Sequence, residues 1–123
     1  GVGVNRVVPH NCSAAHAEVM ALATSQQRLQ KFRLNDDGER ITLATSAQPC
    51  SMCYGALIWA GIDELLIAAR ADDVQTLAGF DEGPLPADWR GELEKRGIEV
   101  RTDILRDEAC AVLKEYGESG LVY

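Results

Sequence analysis

Residues 49–69 read Pro49-Cys50-Ser51-Met52-Cys53-Tyr54-Gly55-Ala56-Leu57-Ile58-Trp59-Ala60-Gly61-Ile62-Asp63-Glu64-Leu65-Leu66-Ile67-Ala68-Ala69, and this stretch decides the fold. Pro49 suits a helix start, where its missing N–H costs nothing and its fixed φ is already helical. The Ala- and Leu-rich run after it carries the helix to about Ala60, and Gly61 stops it. Leu65 to Ala69 is apolar at every position and too short for a helix, the pattern of a strand covered on both faces. Upstream, the turn signal Asn35-Asp36-Asp37-Gly38 leads into Ile41 to Thr45, a second buried strand.

The same reading extends to both ends. Val2, Val4 and Val7-Val8 make a short apolar segment ending at Pro9, which predicts a strand. Ala14 to about Leu29 is rich in good helix formers, with Ser13 as the expected N-cap. Asp72-Asp73 opens a short helical turn, and Gly79 to Pro86 is a loop of glycine, proline and acids. Asp88 to Arg96 is a helix closed by Gly97, Ile98 to Ile104 a strand, and Asp107 to Tyr116 a last helix ended by Gly117. Strands alternating with helices predict a three-layer α/β/α domain around a central mixed, partly parallel sheet.

With 123 residues, the chain has room for one compact domain, taken as residues 1–123. Hydrophobic residues at 46% and charged residues at 25% are the balance of a globular protein, not a disordered one. The net charge of −7 argues against nucleic acid or an anionic membrane as main partner, because phosphates want a basic face. No bilayer-length apolar run or signal peptide is visible, which sets the expectation of a cytoplasmic protein acting on a small molecule.

Two segments carry chemistry, His16-Ala17-Glu18 and the Cys50-Ser51-Met52-Cys53 pair. Cysteines at i and i+3 leave one face of a helix, and in its first turn free N–H groups and the helix dipole favour thiolates. Zn²⁺ takes thiolate sulfur at about 2.3 Å and imidazole nitrogen at about 2.0–2.1 Å in a tetrahedron. His16, Cys50 and Cys53 as ligands leave a fourth position for water, the mark of a catalytic zinc. Helical residues two apart point roughly 200° apart, so His16 and Glu18 serve one site only if His16 sits at the helix end. A carboxylate there shuttles protons between water and a leaving amine. Two other readings stand beside this one. Cys50 and Cys53 form a thioredoxin-like redox pair, or Cys12 joins them and His16 in a closed Cys₃His structural zinc site.

His-x-Glu followed by Pro-Cys-x-x-Cys is the zinc deaminase signature, and the chain resembles the cytidine deaminase-like superfamily. Within it the chain is most similar to the bacterial guanine deaminase branch, through Gly3-Val4-Asn5, Ala15 to Glu18, Thr45 to Ala60, and Ala78-Gly79-Phe80-Asp81-Glu82. The resemblance implies hydrolytic deamination of a nucleobase with Zn²⁺ as cofactor, guanine to xanthine and ammonia first. Cytosine, a nucleoside, an aminotriazine or tRNA adenosine are the alternatives. It implies Glu18 as the catalytic proton shuttle and Asn5, Ala17, Trp59, Glu82 and Tyr123 as substrate contacts. It also implies a homodimer, with exchange of the C-terminal segment between partners. Nothing matches the family's opening helix and its Pro-Phe-Gly-Ala strand, so the resemblance begins at the next strand. Plainer readings apply to several of these residues: Asn5 as a turn cap, Trp59 as core packing, Glu82 in a solvated acidic loop. His10 is read as a loop residue outside the ligand set, Cys12 and Cys110 as small, partly buried residues, and Trp89 as core or interface.

Overall fold

The computed structural model describes residues 1–120. Thr42–Ala47 (β1), Glu64–Ala69 (β2) and Glu99–Arg101 (β3) form a sheet in the order β1-β2-β3. Its register sets Leu43 against Leu65 and Leu65 against Val100, so these three side chains leave the same face. They are buried there with Leu22, Leu57 and Leu93, which come from α2 (Ala17–Leu29), α3 (Ser51–Ala60) and α5 (Trp89–Lys95). Ala68, on the opposite face from Leu65, is buried as well. A further pair, α4 (Ala71–Ala78) and α6 (Arg106–Glu118), packs together, and α6 contacts β2. The α/β class and the order of elements from residue 14 onward are as the sequence predicts. Truncating a fully buried side chain such as Leu65 or Leu93 costs about 2–5 kcal/mol.

The differences have local causes. Both described strand pairings are parallel, where a mixed sheet is expected, and the predicted strand at Val2–Val8 is absent. Val7–His10 is instead a single helical turn, α1. Asn5 Oδ1 accepts the Val7 N–H at 3.0 Å, and Pro9 falls in the first turn, where its missing donor is not needed. Val2, Val4 and Val8 are 87%, 59% and 61% exposed, so their spacing faces no core.

The start of α2 is three residues later than predicted, and its N-cap is His16, not Ser13. The Ala15 N–H bonds the Cys12 carbonyl at 3.0 Å, and the Ala15 carbonyl accepts from Arg6 N–H at 2.8 Å. Those bonds hold residues 12–15 in a turn rather than a helix. β3 is shorter than Ile98–Ile104 because Asp103 and Leu105 adopt positive φ, which ends extended pairing.

Gly117 does not stop α6, which runs through it to Glu118. A Cβ at Gly117 would collide with the backbone carbonyl of Leu77 in α4. The glycine is there to let two helices approach, and the sequence signal for an end is the same residue. Gly55, inside α3, has open space around its Cβ position. Gly117→Ala is therefore expected to destabilise the fold by about 1–3 kcal/mol, and Gly55→Ala to stabilise it by ~0.5–1 kcal/mol. Denaturant unfolding of the two variants checks this, and a neutral Gly117→Ala would show that α4 and α6 are not in backbone contact.

Candidate active site

The site lies where the N-termini of α2 and α3 converge. His16 is the N-cap of α2, with φ −67° and ψ 157°. That extended residue is outside helical register, so its ring escapes the divergence that separates helical positions i and i+2. Glu18 follows as the second residue of the helix, where the dipole favours a carboxylate.

Across from them, Cys50 is the N-cap of α3, and its Sγ accepts the Cys53 N–H at 3.4 Å. The sulfur occupies the capping place that a Ser or Asp oxygen usually fills. Cys53, the third residue of α3, is fully buried.

The donor atoms of His16, Cys50 and Cys53 all lie within 4.8 Å of one another. The Cys50 Sγ to His16 Nδ1 separation is 3.4 Å, close to the edge of about 3.5 Å that zinc bonds of the usual lengths give a tetrahedron. Two sulfurs and an imidazole in that arrangement fit Zn²⁺, and Cys12, exposed to solvent, is not part of the cluster. The cluster could hold a metal ion with three protein ligands, and the closed Cys₃His reading lacks its fourth member. Cys110 is partly buried, as expected, but Cys12 is not.

Electrostatics divide the two thiols. The Cys50 thiol is pushed down to about 5, first by the hydrogen bond from the Cys53 thiol, with help from the backbone N–H groups of Cys53 and Met52 and the charge of His16. The Cys53 thiol is pushed up, because it donates to Cys50, is buried, and faces Glu18. Its Sγ lies 3.6 Å from Glu18 Oε2.

Two carboxyl groups face this centre. Burial raises the pKa of Glu18. Glu82 is pushed up to about 7, by burial first and then by the negative charges of Cys50 and Glu18. Both line a cavity of about 570 Å³ together with Asn5, His16, Ala17 and Phe80, a size suited to a small organic ligand. The structure thus brings Asn5, Ala17 and Glu82 to one cavity with His16, one of the three candidate metal ligands. Asn5 does so while also capping its turn, with Oδ1 accepting the Val7 N–H.

Trp59 is not in that cavity. It is 79% exposed and borders a groove between α2 and α3 with Val19, Phe32 and Ala56. Nine residues after Cys50, at 3.6 residues per turn, it sits on the far side of α3, so neither substrate contact nor core packing describes it. Trp89 is a core-side residue, packed on the main cluster. Tyr123 lies outside the described residues. Phe80, which sequence reasoning did not single out as a site residue, lines the cavity with its ring 5.7 Å from that of Tyr116. An aromatic standing alone in a loop of glycine and acids was the available signal.

Residues 1–69 match the cytidine and deoxycytidylate deaminase zinc-binding region. A tRNA-specific adenosine deaminase of Buchnera aphidicola (subspecies Schizaphis graminum) is 31% identical over 116 residues, covering 94% of this chain and 70% of that protein. A guanine deaminase of Bacillus subtilis is 39% identical over 96 residues, covering 78% and 58%. The crystal structure of a guanine deaminase from Nitrosomonas europaea superposes with a TM-score of 0.90 at 55% identity, covering 94% of this chain and 64% of that one. The chain belongs to the cytidine and deoxycytidylate deaminase family of zinc-binding proteins, and spans about two thirds of the length of the solved relative.

Zinc binding by the protein is expected to survive Cys12→Ala at wild-type stoichiometry. Cys50→Ser is expected to weaken it by at least about a hundredfold, since loss of a ligand exceeds the effect of losing an outer hydrogen bond. Chelator competition reads both, and loss of metal in Cys12→Ala would restore the closed four-ligand site.

Proposed function

We propose that residues 1–123 are a single zinc-dependent deaminase domain whose protein converts guanine and water to xanthine and ammonia. The observation that carries this reading is the cluster of His16, Cys50 and Cys53 beside a cavity that His16 lines together with two carboxyl groups, Glu18 and Glu82. Guanine is favoured among nucleobases by the solved neighbours, NE0047 with 2,6-diaminopurine and its variants with 8-azaguanine. Those variants alter an asparagine and a glutamate the same number of positions apart as Asn5 and Glu82. A tRNA substrate is disfavoured by the net charge of −7.

The reaction replaces a C–N bond by a C–O bond. One proton of the water ends on the departing nitrogen and the other on the ring. Zinc, when bound, supplies Lewis-acid activation of water. Glu18, buried beside Cys53 and raised in pKa, is assigned the transfer of a proton from water to the leaving amine. Glu82, with a pKa of about 7, exchanges between carboxylate and carboxyl near neutral pH and is assigned to the base. Asn5 has committed its amide oxygen to Val7, so its NH₂ is the group offered to a base acceptor. Ala17, at the first position of α2, walls the cavity.

The compartment proposed is the reducing cytoplasm, where Cys50 and Cys53 stay available as ligands. Among the described residues no helix is long and apolar enough to cross a membrane. A homodimer is proposed in addition, favoured by the exposed Trp59 and Phe32 beside the α2–α3 groove. Exchange of the C-terminal segment involves residues beyond those described.

In the zinc-loaded full-length protein, Glu18→Gln is expected to keep its metal and lose at least about a hundredfold in ammonia release from guanine. Assays over guanine, cytosine and tRNA check substrate class. Undiminished turnover by Glu18→Gln would remove the shuttle assignment, and a monomeric mass in sedimentation of the same preparation would remove the homodimer.

A further inference from the structure

The loop between α4 and α5 carries Glu82, and nothing in its composition of glycine, proline and acids would hold it still. It is nevertheless attached to the start of α3. The Ser51 N–H, one of the donors a helix start leaves free, donates to the Glu82 carbonyl at 2.8 Å. The next residue, Gly83, has φ +79°, and a Cβ there would lie 2.5 Å from Ser51 Oγ and 3.3 Å from Ser51 Cβ. Asp81 Oδ1 accepts the Gly83 N–H at 2.9 Å, which braces the loop around the same glycine. Ser51 is the immediate neighbour of Cys50. The free donors of α3 are thus divided between the Cys50 sulfur, which takes the Cys53 N–H, and the acidic loop.

We propose that Ser51 and Gly83 are positioning residues that fasten Glu82 to the helix carrying the zinc ligands, so that its carboxyl group is registered on the metal-side wall of the substrate cavity. The fastening is through backbone, which fixes where residue 82 starts and leaves its side chain free to act on the base. Glycine suits both conditions at position 83, a left-handed φ and an approach so close that an added methyl group would make the Ser51 side chain shift. The proposal rests on the guanine deaminase reading for the identity of the ligand, and its geometry stands apart from that reading.

Gly79, at the other end of the same loop, separates strain from docking. It has φ +76° with nothing within 4 Å of its Cβ position, so Gly79→Ala is strained but unobstructed, whereas Gly83→Ala is strained and driven off Ser51. In the zinc-loaded full-length protein, Gly83→Ala is expected to raise Kd for 8-azaguanine and KM for guanine at least tenfold more than Gly79→Ala. Zinc content should stay at the wild-type level. Amide exchange at Ser51 is expected to accelerate in Gly83→Ala and not in Gly79→Ala. Adding Ser51→Ala to Gly83→Ala removes the Oγ that the new methyl meets, and is expected to recover at least threefold in Kd. Equal Ser51 exchange and equal ligand affinity in the two glycine variants would overturn the proposal. If the wild-type protein neither binds 8-azaguanine nor deaminates guanine, the functional reading fails, and Ser51 exchange still decides the docking.

Discussion

Two helices spend their capping positions on candidate metal ligands, His16 and Cys50, and the rest of the site depends on that constraint. An N-cap is where a chain stops being extended and becomes helical, so a side chain there is aimed by two backbone regimes at once. His16 uses this to reach the same cavity as Glu18. Cys50 uses it to cap α3 with sulfur while facing the His16 ring. The positive ends of two helix dipoles meet at the site, which favours thiolates and carboxylates but opposes a cation. Cys50, whose thiol is pushed down, brings negative charge to that meeting point, and metal binding would displace the protons that burial holds on its neighbours.

The fold exists to hold those two helix starts at a fixed separation. β1 delivers the chain to Pro49 and Cys50, and α2 and α3 share the core face of the sheet through Leu22 and Leu57. Fully buried side chains, Leu57, Leu65, Ile67 and Leu93, surround the support of α3. Small shifts of α3 are resisted by close packing, and with them any change in the distance from Cys50 to His16. The acidic loop joins the same rigid body through the Ser51–Glu82 hydrogen bond.

Much of this was legible in the sequence, and the reasons differ from residue to residue. The requirement that His16 sit at a helix end follows from helix geometry alone, and it held even though Ser13 is not the cap. The cap moved because backbone hydrogen bonds from Arg6 to Ala15 and within residues 12–15 hold a turn there, and backbone bonds of that kind carry no side-chain signature. Valine spacing at Val2 and Val4 carries the signal of a strand only where a partner edge and a core exist to receive it. Gly117 and Gly61 look alike in sequence, yet one admits a neighbouring helix and the other ends one. Trp59 follows a motif-rich stretch, but its angular position on α3 sends it away from the cavity. Glu82 was legible only by resemblance, because its placement depends on a loop docking that needs the third dimension.

The claim underlying all of this is a zinc ion with three protein ligands and one exchangeable position. X-ray absorption at the zinc edge of the loaded full-length protein tests it most directly. The account requires two sulfurs at about 2.3 Å and two lighter atoms at about 2.0–2.1 Å, one of them replaced when a small anion is added. Three sulfurs around the metal, or a first shell unchanged by every added ligand, would contradict it.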